Sequence, residues 1–139
     1  MLFRFCLWLL AKRITSLMQD HEGFKRVAGK KTCVIQFKTL DNKVARYFFF
    51  NMGKVETAAA LHKKPSLTIA IPSAAEARKL ILMLAKHPND KAKPIEAIKQ
   101  GQLRFIGDIS LLTWFMAISD YFAPEEITIP VINKKIAVQ

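Results

Sequence analysis

Three histidines, two cysteines and eleven carboxylates are the side chains of this 139-residue chain that could hold a metal or move a proton. His21, His62 and His87 stand far apart, each in or beside a charged stretch, and no H-x-x-x-H or C-x-x-C pair occurs. A zinc site needs three or four ligands at such spacings, so no metal is expected and the histidines read as surface residues. Cys6 falls in an apolar run and Cys33 in a strand-like one, so both read as reduced, buried thiols, which suits a reducing compartment. Gly23, Gly29, Gly53, Gly101 and Gly107 compose neither a P-loop nor G-x-G-x-x-G. Ser66, Ser73, Ser110 and Ser119 have no base nearby in sequence, and no G-x-S-x-G elbow exists. Glu125 and Glu126 read as solvated. The expectation is a chain with no catalytic residue, no metal and no cofactor.

The formal net charge of +11 points to an anionic partner, either nucleic acid or an acidic membrane surface, or else to lysine-rich solvated faces. Basic doublets occur at Lys25-Arg26, Lys30-Lys31, Lys63-Lys64 and Lys134-Lys135, and Tyr47 with Phe48 to Phe50 could form a stacking platform. The RNP consensus and the helix–turn–helix signature are both absent, however, and the aromatics lie among apolar neighbours, which favours core packing. No nucleic acid is expected.

The elements that must position these residues follow from periodicity. Residues 1–10 carry one charge, Arg4, and are followed by Lys12 and Arg13; the run is too short to span a bilayer and lacks a small-x-small cleavage site. Wound as a helix to Met18, it places Phe3, Leu7, Leu10, Ile14, Leu17 and Met18 on one side. Arg4, Lys12, Thr15, Ser16 and Gln19 gather on the other, with Phe5, Trp8 and Leu9 intruding. Such a helix could lie in a membrane interface, or pack on its own domain or a partner subunit. In the first case Phe3, Leu7, Trp8, Leu10, Lys12 and Arg13 are the membrane-contact residues.

Residues 21–31 read as a loop. Residues 32–38 and 44–51 flank the turn pair Asp41-Asn42 and predict a hairpin; Gly53-Lys54 begins the next turn, and 55–58 predicts a short strand. Residues 66–71 alternate and stop at Pro72, which cannot continue a ladder. Ser73-x-x-Glu76 is a capping box opening a helix with the stripe Ala77, Leu80, Ile81 and Leu84, stopped at His87-Pro88. Pro94 suits a short helix closed by Gly101, 102–106 predicts a strand, and Asp108 can cap a last helix over 109–121 that is apolar nearly all round. The tail from Pro124 reads as an edge strand or an extended arm. Strands in a run with helices gathered elsewhere give an α+β class, with an antiparallel sheet covered on one face. The domain reading is a helix over 1–19, a domain over 20–123 and a tail over 124–139. The last helix has more apolar surface than a small domain usually covers, so it is fully buried, pairs with another chain or faces a ligand cavity.

Residues 65–122 resemble the sterol-carrier-protein-2 family: an alternating strand (PSLTIAI), a helix beginning at serine (SAAEARKLILML), then Gln100-Gly101-Gln102-Leu103-Arg104-Phe105-Ile106-Gly107-Asp108 and an apolar helix (ISLLTWFMAIS). The Q-G-x-L-x-x-x-G-D stretch is the most specific part, and residues 24–29 and 48–54 extend the likeness over about 14–122. The resemblance implies a five-stranded, mostly antiparallel sheet under helices, enclosing an apolar tunnel for sterols, fatty acyl chains or isoprenoids, with no chemistry performed. Carried onto this chain, the lining is Phe48, Phe50, Ile69 and Phe105 from strands, with Leu80, Leu84, Leu111, Phe115 and Ile118 from helices.

The stretch 85–93 is longer and more polar than the turn usual in the family, and the chain lacks a peroxisomal S-K-L ending. The expectation is a bacterial or cytoplasmic carrier, peripherally associated with membranes. Some bacterial members assist ubiquinone biosynthesis, so a biosynthetic enzyme, or a second copy of the chain, is a candidate partner. The alternative is a protein-interaction or dimerisation module whose core is filled by its own side chains.

Overall fold

The structure is a computed structural model that describes residues 2–86, 96 and 99–122. Helices α1 (Leu2–Asp20) and α2 (Glu22–Ala28) precede strands β1 (Thr32–Thr39), β2 (Ala45–Asn51), β3 (Lys54–Ala58) and β4 (Leu67–Ile71). Helix α3 (Ala74–Lys86), strand β5 (Arg104–Gly107) and helix α4 (Ser110–Ser119) follow. The expected short helix after Pro94 and the expected edge strand or arm after Pro124 lie outside the described residues.

Local chemistry explains the turns. In the β1–β2 hairpin the Asp41 carboxylate accepts the Thr39 hydroxyl at 2.6 Å and the Lys43 N–H at 3.0 Å, while Asn42 takes a positive φ. Asparagine and aspartate favour such turns because a short polar side chain substitutes for a backbone partner. The next turn is Met52-Gly53, one residue earlier than the sequence suggested, with both residues at positive φ. Two central residues of that kind match the twist of an antiparallel pair.

The sheet runs β3-β2-β1-β4-β5, with β1–β4 parallel and the other three pairings antiparallel. A parallel β1–β4 pair requires the chain to cross from the β3 edge to the far side of β1. Residues 59–66 make that crossing over the face opposite the helices. There the His62 N–H donates to Gln36 Oε1 at 2.8 Å, Gln36 Nε2 donates to Thr68 Oγ1 at 3.2 Å, and the His62 ring meets Tyr47 edge-on. This is why every residue of β4 is buried: helices cover one face and the crossing segment the other. The sheet remains open, with β3 and β5 as its edges.

On the helix side, the register sets Ile35 between Phe48 and Leu67, and Phe37 beside Ile69, which pairs with Phe105. The main core joins these strand residues to Ala11, Ile14, Leu17 and Met18 of α1, to Phe24 and Ala28 of α2, and to Leu111, Phe115 and Ile118 of α4. A smaller cluster packs Phe3 and Leu7 against Val44, Ile71 and Ala77, tying α1 to α3.

The segment 21–31 is a correction: most of it is helix, not loop. His21 is the N-cap, its Nδ1 accepting the Phe24 N–H at 3.0 Å, and Gly29 ends the helix. The sequence signal was weak because histidine lies outside the usual Ser/Thr/Asp/Asn capping set and the helix is only seven residues long. At α3 the capping serine acts as expected, with the Glu76 N–H donating to Ser73 Oγ at 3.2 Å.

Candidate functional site

Alternation along β2 turns Phe48 and Phe50 to the helix side, and alternation along β4 turns Leu67 and Ile69 to the same side. Helix α4 lies over them. The aromatic contacts bind sheet to helix: Phe37 to Phe115 with centroids 5.7 Å apart, Phe50 to Trp114 at 5.1 Å and Phe37 to Phe48 at 5.9 Å. Trp114 Nε1 donates to the Val27 carbonyl at 3.1 Å, which fastens α4 to α2. At the start of α4, Asp108 Oδ1 accepts the Ser110 N–H at 3.0 Å, so the predicted capping residue performs that task from one position further out.

Of the nine residues assigned to an apolar lining, Phe48, Phe50, Ile69, Leu111, Phe115 and Ile118 belong to this one buried layer, and Phe105 packs against it. Leu80 is buried on α3 but belongs to neither apolar cluster. The side chain of Leu84 lies outside the described residues. Sequence reasoning missed Ile35, Leu67, Phe37 and Phe24. The first three were readable from the alternation that identified Phe48 and Ile69; Phe24 was hidden with α2.

Helix α1 sorts its residues as follows. Phe3 and Leu7 are buried against the chain's own core, and Leu10 is half-buried against it. They face inward, while the apolar residues that face outward are Phe5, Trp8 and Leu9. Lys12 holds its ammonium 5.4 Å from the Trp8 ring centroid. Arg13 is engaged within the chain, donating to the carbonyls of Tyr121 and Phe122 at 3.2 Å. No described helix is long and apolar enough to cross a membrane.

Several of the described groups that could do chemistry have structural roles. Ser66 Oγ accepts the Val34 N–H at 2.9 Å, and His21 and His62 act in a cap and in the crossing segment. Among the described residues, no three His, Cys, Asp or Glu side chains gather closely enough for a metal ion. Cys6 and Cys33 are free thiols. Burial pushes the Cys33 thiol up to about 11, with Lys31 opposing and Asp108 adding, and burial also raises Cys6. Both are protonated at neutral pH, which makes them poor nucleophiles.

Two surface cavities, about 410 and 250 Å³, lie along α1 at the β2–β3 edge, and none of the nine assigned residues lines either.

No protein-family profile matches this chain, and no curated protein matches it in sequence. Among solved structures, the UbiJ-SCP2 ubiquinone synthesis protein is similar at 17% identity, with a TM-score of 0.58 over 86% of this chain and 99% of that one. A conserved hypothetical protein of Thermus thermophilus, described as a possible sterol carrier protein, is similar at 12% identity, with a TM-score of 0.51 over 81% of this chain and 80% of that one. These likenesses show a shared fold: the α+β, mixed five-stranded sheet under helices has the sterol-carrier-protein-2-like topology.

Proposed function

We propose that this chain is a non-catalytic carrier that accommodates the apolar part of a lipid between its sheet and α4. The observation that carries the reading is the continuous layer of Phe48, Phe50, Ile69, Leu111, Phe115 and Ile118 under an open-edged sheet. Its roof, α4, exposes some apolar surface on its outer side as well: Met116, and Ile109 at its N-cap, are each 52% exposed. For an apolar chain to enter, α4 exchanges its contacts with Phe37 and Phe50 for contacts with the ligand. Each buried CH₂ of the ligand then contributes about 0.8 kcal/mol before ordering costs. Sterols, fatty acyl chains and isoprenoids all meet that description. The solved ubiquinone synthesis protein of the same fold supports an isoprenoid ligand and an accessory role beside a biosynthetic enzyme. The outward Phe5, Trp8 and Leu9, with the basic surplus, support peripheral membrane association from the cytoplasmic side.

Native mass spectrometry of the delipidated protein, offered a fatty acid, a sterol and a polyprenol in turn, tests the carrier. A one-to-one adduct with at least one, weakened by overfilling the layer with Leu111→Trp, is expected. Absence of any adduct with all three would sink the proposal.

A second reading rests on the packing itself. Phe48, Phe50 and Ile118 are fully buried by neighbouring side chains, as in an interaction module with a filled core. Sedimentation equilibrium showing a stable dimer, combined with no lipid adduct, would favour it.

A further inference from the structure

The inward face of the sheet is largely apolar; besides the buried Thr39, its polar side chains gather at one corner. Arg46 stands two residues before Phe48, pairs with Phe37 in the register, and so points to the helix side. Thr57, paired with Phe48, points the same way. Arg46 Nη1 donates to Thr57 Oγ1 at 3.0 Å. Over this corner α1 presents Lys12, Thr15, Ser16 and Gln19 where elsewhere it presents Ile14 and Leu17, and the surface cavity between them measures about 410 Å³. A second cavity of about 250 Å³ shares Trp8 and Arg46 with the first and adds Arg4 and Lys43.

No carboxylate lines either cavity. Among the described residues, the salt bridges are Glu22–Lys25 and Glu76–Lys79; none of the four cations forms one, although Asp41 lies close enough to Lys43 to feel its charge. Asp41, two residues before Lys43, turns its carboxylate to the Thr39 hydroxyl and the Lys43 backbone. An arginine at an inward strand position breaks the local pattern, and here the hydrogen-bond partner of its guanidinium is a single hydroxyl. Lys12 and Arg46 flank the first cavity and Arg4, Lys43 and Arg46 the second, and like charges so placed repel one another until an anion enters. The hydroxyls of Thr15 and Ser16 and the Gln19 amide can donate to its oxygens.

We propose that this cleft binds a phosphate- or diphosphate-bearing anion, with Arg46 and Lys12 supplying charge and Trp8 an aromatic wall. The same chemistry serves a free organic phosphate and the headgroup of an anionic lipid. The proposal does not rest on the carrier reading, because none of the six residues that carry that reading lines the cleft.

Tryptophan fluorescence of the full chain is titrated with sodium diphosphate at constant ionic strength. In parallel, flotation is measured with vesicles of phosphatidylcholine alone and with added phosphatidylglycerol. Arg46→Gln removes charge, Ser16→Glu places a carboxylate in the cleft from an exposed position, and Lys64→Gln removes a charge from the distant crossing segment. Circular dichroism confirms that each variant is folded. Saturable diphosphate binding, weakened about tenfold or more by R46Q and S16E and less than about twofold by K64Q, identifies a free phosphate ligand. The same variant pattern in flotation on phosphatidylglycerol vesicles, without diphosphate binding, identifies a headgroup. Binding to neither probe, or equal weakening by all three variants, overturns the proposal.

Discussion

Replacing Gly107 with alanine tests how the last strand is joined to the helix that roofs the apolar layer. Gly107 holds φ at +114°, and an added Cβ would stand 2.5 Å from the Ser66 carbonyl oxygen. That oxygen already accepts the Asp108 N–H at 2.8 Å, so backbone would have to move on both sides. Gly101, in the same stretch, is the internal comparison: its φ is +77°, but nothing lies within 4 Å of the Cβ position. G101A therefore carries left-handed strain alone, about 1–2 kcal/mol. G107A carries strain of about 1–3 kcal/mol, and in addition disturbs a backbone hydrogen bond worth about 1 kcal/mol net. With the displacement of the Asp108 cap and of α4, the total comes to roughly 3–5 kcal/mol. Urea unfolding followed by circular dichroism reads the difference. With a slope of about 1.5 kcal/mol/M, G107A lowers the midpoint by about 2 M or more and G101A by about 1 M. Equal midpoints, or a lower one for G101A, would refute the reasoning that close backbone approach fixes glycine at 107.

Three further perturbations probe other parts of the argument. Gln36→Leu leaves the His62 N–H and the Thr68 hydroxyl without their partner under the crossing segment; a loss of about 2–3 kcal/mol in thermal unfolding is expected, and a near-neutral variant would show that the segment does not depend on this bridge. Trp114→Phe keeps a ring against Phe50 but removes the bond to the Val27 carbonyl; the cost is about 1 kcal/mol, and no change in the urea midpoint would argue against α4 being fastened to α2. The Cys33 thiol, raised by burial to about 11 from 9.0, binds its proton more tightly in the folded state. Its contribution is complete below the unfolded value and is lost as pH rises through the folded one, so stability should fall between about 9 and 11, and Cys33→Ala should flatten that slope.

The sequence made the sheet legible because β-rich runs and turn residues agreed: Asp41-Asn42 and Pro72 bound strands whose alternation predicts which side chains face inward. The capping box at Ser73 was equally direct, since its two partners lie three residues apart. Helix α2 was not readable, because its cap is a histidine imidazole that the fold orients against Tyr121. The second cover of β4 was also hidden: the path of 59–66 across the outer face follows from the parallel β1–β4 pairing, a long-range fact that no local pattern encodes. The polar corner was half visible. Arg4, Lys12, Thr15, Ser16 and Gln19 were grouped on one side of α1 by helical spacing, but only the β2 register brings Arg46 and Thr57 beneath them.

Helix α1 is where these parts meet, and that decides how its membrane role can be tested. Deleting it is uninformative, since Ile14 is fully buried and Leu17, Met18, Phe3 and Leu7 are nearly so. Truncating Ile14 alone to alanine already costs about 2–5 kcal/mol, so a chain without the helix would expose the apolar layer and bind vesicles through its own core. Trp8 is unsuitable as well, because it lines both cavities. Phe5 and Leu9 remain: they are exposed, at 54% and 45%, and line neither cavity. The double variant F5S/L9S should leave the unfolding midpoint within about 0.5 kcal/mol of the original, yet lose the salt-resistant part of vesicle flotation, which apolar insertion supplies. Flotation that is undiminished and abolished by salt would assign membrane attachment to charge alone and leave the outward apolar face without a part in it.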